Sequence, residues 1–482
     1  MRRAKIVCTL GPASSSADMV RELMRKGMDV ARLNCSHSSH ESLTQLVKTV
    51  RAASEELARP VAILLDLQGP KIRIGKFASG PVRIKKGDKI SITTNENEPC
   101  TAERLSTTYQ ELPDDVKPGD RILIDDGNVE LSVLEVKNRE VFCEVKFGSK
   151  LSNHKGMNLP GVKTSIPSLT EKDREDLIHG LSLDVDYIAL SFVRYPSDIR
   201  EVQQLIHTHL KDVPVIAKIE KPEAIKNIDD IIAVADGVMV ARGDMAVEIS
   251  PQMVPSAQKM IIHKCNVAGL PVICATQMLE SMIENPRPTR AEASDVANAI
   301  FDGADALMLS AETASGKYPA ESVQMMTDII KQAERDTDSL RIVKNIHPPV
   351  ISIPDAIEHA AAQVALEAGA KAIVCVTNSG NAAQAISKFR PKVPVFAITD
   401  RREVLQRLAL IWGVKGVLIP KIMPEVDMIA MAEKAVFHWW NTYLVPALRP
   451  LAKGDLMVMT VGIPTLVRSK TNTIIAHIVK GE

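Results

Sequence analysis

Eight short apolar runs, each followed by a segment with helical periodicity, constrain the fold of this chain more than any other feature. The first three are KIVCTLG, DVARLNCS and VAILLDLQG, and five more follow later: DYIALSF, VPVIAKIE, DGVMVARGD, PVICATQM and ADALMLSAE. Such near-continuous apolar runs are typical of parallel strands that are buried on both faces and covered by helices. Eight of these units predict an α/β fold in which the strands close into a (β/α)8 barrel.

The strand–helix alternation stops for roughly a hundred residues after the third run, which is far longer than an ordinary loop. Within this break, VRIKKGDKISITT, DRILIDDGNVELSVLEV and REVFCEVKF alternate apolar and polar residues between turn signals. The alternation predicts a small antiparallel β-domain inserted over residues 70–167. The barrel is then expected to consist of residues 1–69 and 168–340.

A Pro-rich segment, NIHPPVISIP, follows Arg341 and is typical of a linker between domains. Beyond it we predict a helix over 355–369 and five further apolar runs, KAIVCVT, VPVFAIT, VKGVLIP, DLMVMTVG and TIIAHIV. Five strands with helices between them suit an open sheet better than a barrel. Residues 341–482 are therefore expected to form a C-terminal α/β domain.

Composition argues against several classes of protein. The 59 Lys and Arg residues equal the 59 Asp and Glu residues, and aromatic residues make up 3% of the chain, whereas nucleic-acid binders usually carry a basic surplus or aromatic stacking platforms. No apolar run reaches the ~18 residues of a membrane span, and the apolar part of MRRAKIVCTLG is too short for a signal peptide. The seven cysteines are scattered singly, which predicts reduced core thiols in a cytoplasmic protein. From the charge balance and the short apolar runs, we expect neither nucleic-acid nor membrane partners.

Charged side chains follow the apolar runs, at the strand ends where a (β/α)8 barrel places its active site. Glu220 and Asp244 follow neighbouring strands, and two carboxylates with substrate oxygens are the usual arrangement for Mg²⁺. Four cations would converge on the end of the barrel where its strands terminate, which we call its mouth. This arrangement suits a phosphate or carboxylate substrate. They are Arg32, Lys71, Arg73 and Lys218.

The segment Arg242-Gly243-Asp244 places a glycine where a loop begins a helix, so its backbone N–H groups could hold an anion. Cations, a carboxylate pair and an anion-binding loop together indicate phosphoryl transfer, in which positioning and charge neutralisation provide most of the catalysis. The sequence has no Walker-type phosphate loop, so a nucleotide must be held in another way.

Six segments resemble the pyruvate kinase family, and the resemblance extends over nearly the whole chain. They are ARLNCSH, LDLQGPKIR, IAKIEKPE, MVARGDMAVE, CATQMLESM and NPRPTRAEASDVANAIFDGADALMLSAETASGKYP. The resemblance implies a phosphotransferase that moves the phosphoryl group of phosphoenolpyruvate to ADP in the last step of glycolysis, giving pyruvate and ATP with Mg²⁺ or Mn²⁺. It also implies a TIM barrel, a small inserted β-barrel domain that acts as a lid, a C-terminal α/β open-sheet regulatory domain and a homotetramer.

The resemblance further implies roles for residues at the strand ends. Lys218 would stabilise the phosphoryl group in flight, while Glu220 and Asp244 would hold the Mg²⁺. The N–H groups of Gly243 and Asp244 would bind the substrate carboxylate with Thr276, which would also organise the proton relay to the enolate. The remaining implied catalytic and nucleotide contacts are Arg32, Arg73, Asn34, Ser36, His37 and Lys172.

The loop after the run KAIVCVT is a candidate effector site. It precedes a helix, as in a phosphate-binding nest, and the corresponding loop of the resembled family receives a sugar phosphate that activates the enzyme. An ordinary helix with Ser379 as its N-cap is the alternative. The residues of the expected effector site are Thr377, Asn378, Ser379, Gly380 and Asn381.

The strand-three motif DLQGPK ends in Lys71, whereas family members that require K⁺ carry glutamate after the proline. The ammonium of Lys71 would repel K⁺ and supply an internal cation in its place, so K⁺ is not expected to be required. The residues that match the monovalent-cation region of the family are Asn34, Ser36, Asp66 and Leu67.

Four positions depart from the family pattern: Cys35, Ser38, Ala246 and Ser315. Ser38 could restrict the loop at His37. Ala246 would cost about 1 kcal/mol if its φ were positive, because the family has glycine there.

Two other functions stay open. A barrel lyase acting on pyruvate or phosphoenolpyruvate would also need Mg²⁺, paired carboxylates and cations, but it does not account for the inserted and C-terminal domains. A phosphoenolpyruvate sensor without turnover would be favoured by loss of Lys218, Glu220 or Asp244, and all three are present. ADP-dependent release of pyruvate separates the kinase from the lyase.

Overall fold

The computed structural model describes residues 2–340, 349–422, 425–443, 449–463 and 470–481. The first three strands coincide with the first three apolar runs of the sequence. The elements up to this point are β1 (Lys5–Thr9), α1 (Ala17–Lys26), β2 (Val30–Asn34), α2 (His40–Glu56) and β3 (Ala62–Asp66).

The predicted insertion, all of which the structure describes, consists mainly of strands. They are β4 (Val82–Arg83), β5 (Lys89–Thr93), β6 (Arg104–Ser106), β7 (Arg121–Ile124), β8 (Val129–Lys137), β9 (Glu140–Phe147), β10 (Lys150–Leu151) and β11 (Met157–Asn158), with the short helix α3 (Leu112–Asp115) before β7. Six of them form a sheet in the order β11-β7-β8-β9-β5-β6, and β10 pairs with β4. The pairs are antiparallel as predicted, except that β5 and β6 run parallel because the connection over 94–103 crosses back before β6 begins.

The barrel resumes with a helix whose N-terminus is a capping box, in which the side chains of Thr170 and Asp173 each accept the other's backbone N–H. Leu177 and Leu181 lie on its buried face, whereas Ile178 is exposed because it is rotated by ~100° from Leu177. The elements are α4 (Glu171–Ser182), β12 (Tyr187–Leu190), α5 (Pro196–Thr208), β13 (Val215–Ile219), α6 (Pro222–Lys226), α7 (Ile228–Ile232), β14 (Gly237–Ala241), α8 (Arg242–Ile249), α9 (Val254–Ala268), β15 (Val272–Ala275), α10 (Arg290–Asp302), β16 (Ala306–Leu309), α11 (Ala311–Ala314) and α12 (Pro319–Leu340).

The predicted (β/α)8 barrel is confirmed. Strands β1 to β3 and β12 to β16 close in the parallel order β1-β16-β15-β14-β13-β12-β3-β2. Alternate strand residues face the helices or the barrel interior, where the buried side chains include Leu64, Tyr187, Ile216 and Met239. Because β3 and β12 are hydrogen-bonded neighbours, the insertion leaves and re-enters the barrel at one place on its mouth.

The predicted open α/β sheet is also confirmed. Its strands lie in the order β19-β18-β17-β20-β21, with β21 antiparallel to β20. The helix predicted over 355–369 covers Ile353–Glu367. The elements are α13 (Ile353–Glu367), β17 (Ala372–Val376), α14 (Asn381–Lys388), β18 (Val395–Thr399), α15 (Arg402–Arg407), β19 (Val414–Leu418), α16 (Glu425–Tyr443), β20 (Leu456–Val461) and β21 (Thr473–Ile478).

The start of the predicted linker falls within 341–348, which lies outside the described residues. The domain boundaries at 69/70, 167/168 and 340/341 stay predictions. In the described part of the chain, no helix is long and apolar enough to cross a membrane.

All seven cysteines are buried and form no disulfide. Burial raises the pKa of the Cys274 thiol to about 11, so this thiol stays protonated at neutral pH. A protonated, buried thiol reacts slowly, which agrees with the core role predicted for these residues.

One arginine of the C-terminal domain joins it to the barrel. Arg390 Nη1 lies 2.7 Å from Asp305 Oδ1, and Nη2 donates to the Gly303 carbonyl at 3.0 Å. The Arg390 guanidinium carbon lies 4.7 Å from the ring centroid of Trp412, and the guanidinium carbon of Arg3 lies 5.3 Å from the same centroid. Asp305 is buried, so this ion pair has little access to water.

We expect Arg390→Ala to destabilise the protein by about 2 to 4 kcal/mol, because it leaves the buried Asp305 carboxylate without its cation. The matched control is Arg402→Ala, which removes a second ion pair between the same domains. Its partner is Glu55, and the two side chains are 74% and 71% exposed, so the control should lose at most about 1 kcal/mol. Urea unfolding followed by tryptophan fluorescence measures both losses, and equal losses would contradict the role given to burial.

Candidate active site

The ammonium group of Lys218 lies at the end of β13, buried between two carboxylates. Its Nζ is 3.1 Å from Glu220 Oε1 and 3.3 Å from Asp66 Oδ1, and it donates a hydrogen bond to Ser191 Oγ at 2.6 Å. Burial alone would lower the pKa of Lys218, but the two carboxylates outweigh burial and raise that pKa above its ordinary value. Lys218 is therefore a cation held in place before any substrate binds.

The carboxylate of Asp66 orients a second cation. Arg32 Nε donates to Asp66 Oδ2 at 2.6 Å, and Arg32 Nη1 donates to Thr9 Oγ1 at 2.9 Å. Burial works to raise the pKa of Asp66, but Lys218 and Arg32 together hold it below its ordinary range. Asp66, predicted for a monovalent-cation region, is thus engaged by two protein cations.

Glu220 and Asp244 form a carboxylate pair beside Lys218. Glu220 Oε2 accepts a hydrogen bond from the backbone N–H of Phe192 at 2.9 Å, and the buried Oε1 has the Lys218 ammonium 3.1 Å away. Burial raises the pKa of Glu220, Lys218 opposes this rise, and the negative charge of Asp244, in the first turn of α8, adds to it. A divalent cation would relieve the repulsion between these two carboxylates.

These two carboxylates fit Mg²⁺ or Mn²⁺. Within the described ranges, no group of three or more His, Cys, Asp or Glu side chains could hold a metal ion. Mg²⁺ is commonly bound through one or two carboxylates and takes its other ligands from substrate and water. The protein therefore offers the pair that such a shared site needs, not a complete cage.

The segment at the end of β15 adopts an unusual backbone. Thr276 and Gln277 have φ values of 70° and 54°, a conformation that costs energy in residues with side chains and occurs most often at functional sites. Arg242 Nη2 donates to the carbonyl oxygens of Thr276 at 2.6 Å and of Gln277 at 3.2 Å. As a result Thr276 Oγ1 accepts the N–H of Gly243 at 2.8 Å. Gly243 and Thr276, both predicted to bind the substrate carboxylate, are thus neighbours. Ala246 lies inside α8, so the strain considered for it does not arise.

Some residues of this site were not predicted from the sequence. Ser191, which accepts the hydrogen bond from Lys218, ends the fourth apolar run and so had the same strand-end signal as the predicted residues. Phe192 has a φ of 55° that directs its N–H to Glu220, and nothing in the sequence indicates this. The sequence identifies Arg242 as a charged residue at a strand end, but it does not indicate that Arg242 binds the carbonyl oxygens of Thr276 and Gln277.

The predicted nucleotide contacts lie around the loop after β2. Asn34 Oδ1 accepts the N–H of Ser36 at 3.1 Å. The Lys172 ammonium donates to the Cys35 carbonyl at 3.0 Å and pairs with Asp176. Lys172 therefore holds the loop in place in this structure.

Three cations lie close enough to His37 to act on it. Partial burial lowers the pKa of His37, and the charges of Lys71, Arg73 and Arg32 lower it further. Arg73 belongs to the inserted domain, where its Nη1 donates to the His154 carbonyl at 3.3 Å. Its distance from the mouth therefore depends on where the inserted domain stands.

The predicted effector loop begins α14. Gly380, with φ 91°, is the N-cap, and no side chain caps the helix, so the alternative in which Ser379 is the N-cap is wrong: Ser379 Oγ lies 3.5 Å from the Asn381 nitrogen, at the limit of a hydrogen bond. Thr377 Oγ1 accepts the N–H of Gly380 at 2.9 Å. The loop opens onto a groove of about 640 Å³ between the two domains, which Ser379 and Arg401 help to line.

Comparisons with known proteins support this geometry. Residues 1–323 match the family model described as "Pyruvate kinase, barrel domain", and residues 355–477 match "Pyruvate kinase, alpha/beta domain". The chain is 44% identical over 485 residues to proteins named "Pyruvate kinase" from Staphylococcus aureus strains MRSA252 and USA300, with 100% of this chain and 81% of each relative covered.

A solved structure shows the same architecture. The crystal structure of a pyruvate kinase from Cryptosporidium parvum superposes with a TM-score of 0.91 at 37% sequence identity, covering 99% of this chain and 96% of that one. Two family models, and relatives matched over the whole of this chain, thus agree with the barrel and the open sheet. The chain belongs to the pyruvate kinase family, whose members are phosphotransferases.

Proposed function

We propose that this chain transfers the phosphoryl group of phosphoenolpyruvate to ADP in glycolysis, giving pyruvate and ATP, at the mouth of the barrel around Lys218. The observation that carries the proposal is the buried Lys218 ammonium, held between Asp66 and Glu220 where the strands end. A preorganised cation there can stabilise the charge that spreads over a phosphoryl group in flight. Membership in the pyruvate kinase family supports the same reaction.

Arg32 and Lys218 would contact the substrate phosphate together, since Asp66 orients both cations. Glu220 and Asp244 would hold the Mg²⁺ or Mn²⁺, which when bound neutralises negative charge on the substrate. Lys218 would remain in contact with the phosphoryl group while it is transferred from donor to acceptor.

The substrate carboxylate would be bound at the start of α8. The N–H groups of Gly243 and Asp244 would donate to it, the carboxylate replacing Thr276 Oγ1 as the acceptor of the Gly243 N–H, and the hydroxyl of Thr276 would give a third contact. Arg242 keeps Thr276 in this position through its bonds to the backbone. Thr276 is also close enough to organise the proton relay that converts the enolate to pyruvate.

ADP would lie along the loop after β2, with the inserted domain closing over it as a lid. Closure would exclude water, which otherwise competes for the phosphoryl group. It would also bring Arg73 to the nucleotide, because Arg73 moves with that domain. The proposed nucleotide contacts are Asn34, Ser36, His37, Arg73 and Lys172.

A sugar phosphate bound by residues 377–381 is proposed to activate the enzyme. The first N–H groups of α14 have no side-chain cap, and a helix N-terminus favours an anion. Arg401 adds a cation, since its Nη1 lies 3.3 Å from the Asn378 carbonyl.

We also propose a homotetramer in the cytoplasm. β21 is the last strand of the described sheet, and Ile478 in it is exposed, as are Ile351 and Ile353 at the start of α13. An uncovered sheet edge with apolar side chains favours pairing with a second copy. Buried, unpaired cysteines agree with a reducing compartment.

Lys218→Met is expected to lower kcat by about 10²–10³ while phosphoenolpyruvate still binds, because the loss removes one preorganised electrostatic contact. Pyruvate formation with and without ADP measures turnover, and equilibrium dialysis measures binding. Lys264→Met, which removes an ion pair with Asp229 on the barrel surface, is the matched control. A Lys218→Met variant with most of its turnover, or pyruvate release that does not depend on ADP, would contradict the proposed function.

Ser379→Asp is expected to abolish activation by a sugar phosphate and to leave the saturated kcat unchanged, because the new carboxylate repels the phosphate. A panel of sugar phosphates and nucleotides in the pyruvate assay identifies the activator first. Gln363→Glu adds the same charge on an exposed position of α13 and should keep the activation. Full activation of an intact Ser379→Asp enzyme would move the effector site elsewhere.

Activity without K⁺ is expected, because Asp66 already has two protein cations, and the positive charge of Lys71 acts on His37, next to Ser36 of the predicted monovalent-cation region. At ~4 Å and an effective dielectric constant of ~20, an ammonium repels K⁺ by ~4 kcal/mol before screening. Lys71→Glu should therefore lose activity and regain part of it with added K⁺, whereas Lys76→Glu, at an exposed position of the same domain, should not. If K⁺ stimulates the wild-type enzyme tenfold or more, this expectation is wrong. A tenfold change in rate corresponds to about 1.4 kcal/mol in the activation free energy.

A further inference from the structure

One oxygen of Glu248 receives hydrogen bonds from two other parts of the chain. Lys221 Nζ donates to Glu248 Oε1 at 2.7 Å, and Asn158 Nδ2 donates to the same oxygen at 2.9 Å. The Glu248 side chain is 0% exposed and that of Lys221 is 14% exposed. We refer to Asn158, Lys221 and Glu248 as the Glu248 cluster.

The Glu248 cluster joins the two elements that carry the carboxylate pair. Lys221 is the residue that follows Glu220 in the chain, just after the end of β13. Glu248 lies four residues after Asp244 in α8, and residues with this spacing share a helix face. The ion pair between Lys221 and Glu248 therefore links the backbone that carries Glu220 to the helix that carries Asp244.

The third member of the cluster comes from the inserted domain. Asn158 lies in β11, where it pairs with Leu123 of β7. Lys71 and Asp126 of the inserted domain line the same narrow gap as Lys221 and Asp244 of the barrel. The amide of Asn158 reaches Glu248 because the inserted domain lies over the mouth of the barrel. The hydrogen bond between Asn158 and Glu248 would be broken if that domain moved away.

Glu248 depends on these donors because it has few others. Its Oε2 is buried and accepts no hydrogen bond within the described residues, and a buried carboxylate is stable only when cations or donors compensate it. The Lys221 ammonium also lies 5.8 Å from the ring centroid of Phe192, whose N–H binds Glu220. A shift of Lys221 would therefore disturb both Glu248 and the segment that holds Glu220.

We propose that Asn158, Lys221 and Glu248 are positioning residues that couple closure of the inserted domain to the spacing between Glu220 and Asp244. The closed domain supplies the Asn158 amide to Glu248, which fixes α8 against the end of β13. The carboxylate pair is then held at the separation that suits one divalent cation and the substrate. This inference rests on the proposed function, because it takes Glu220 and Asp244 as the metal carboxylates.

The test uses the full-length enzyme with Asn158→Ala, which removes only the donor from the inserted domain. We expect the dissociation constant for Mn²⁺, followed by electron paramagnetic resonance, to rise about tenfold, the range of one hydrogen bond to a charged group. The KM for phosphoenolpyruvate should rise by a similar factor. The saturated kcat should change much less, since Lys218 keeps its contacts. Asn97→Ala, in an exposed loop of the inserted domain, is the matched control and should change neither constant.

A second pair of variants separates positioning from a general loss of structure. Lys221→Met should weaken Mn²⁺ binding at least as much as Asn158→Ala, and Lys221→Arg should restore most of it, because the guanidinium keeps the charge next to Glu248. Combining Asn158→Ala with Glu248→Gln should cost less than the sum of the two losses, because both act on one interaction.

Two results would overturn the inference. One is Mn²⁺ binding and KM in Asn158→Ala equal to those of Asn97→Ala. The other is a lower melting temperature in Asn158→Ala with both constants unchanged, which would make the contact purely structural. In either case ADP-dependent pyruvate formation by the wild type would still stand, so failure of the inference is distinct from failure of the proposed function.

Discussion

The buried charge of Lys218 requires opposite charge to be buried with it, and the barrel mouth is arranged around that requirement. Asp66 and Glu220 supply two carboxylates, and Arg32 supplies a second cation that shares Asp66. These four groups balance. Asp244 then adds a negative charge beside Glu220, so these five groups have one carboxylate in excess, which favours binding of a cation beside Glu220 and Asp244 without unpairing the other protein groups.

The architecture and the positions of the charges were predictable because both depend on local sequence. Buried parallel strands appear as short apolar runs, and the residue that ends each run lies at the mouth by the geometry of the barrel. Lys218, Glu220 and Asp66 were found in this way. The capping box at Thr170 is equally local, because its two residues are three positions apart.

The contacts of these residues were not predictable, because they join distant parts of the chain or depend on strained backbone. The Lys172 ammonium, expected at the nucleotide, binds the Cys35 carbonyl 137 residues away. The φ of Thr276 follows from its contact with Arg242, and no local pattern encodes it. The N-cap of α14 is Gly380 where a serine-capped helix was the alternative, since a glycine with positive φ and a nearby serine give similar sequence signals. The roles given to the site residues stay proposals for the same reason.

The position of the insertion within the barrel determines the order in which the chain can fold. β3 pairs with β12 and β1 pairs with β16, so the first three strands remain an open sheet until Leu309 has been synthesised. The inserted domain has a core of its own around Phe77 and Tyr109 and can be complete while five barrel strands are still missing. The edge of β3 stays unpaired while the ribosome adds roughly 120 residues, and the edge of β1 while it adds roughly 240, which for β1 takes on the order of 10–50 s at ordinary rates of synthesis. Substitutions that make these unpaired edges more apolar therefore favour aggregation of the nascent chain, an effect separate from any change in the stability of the finished barrel.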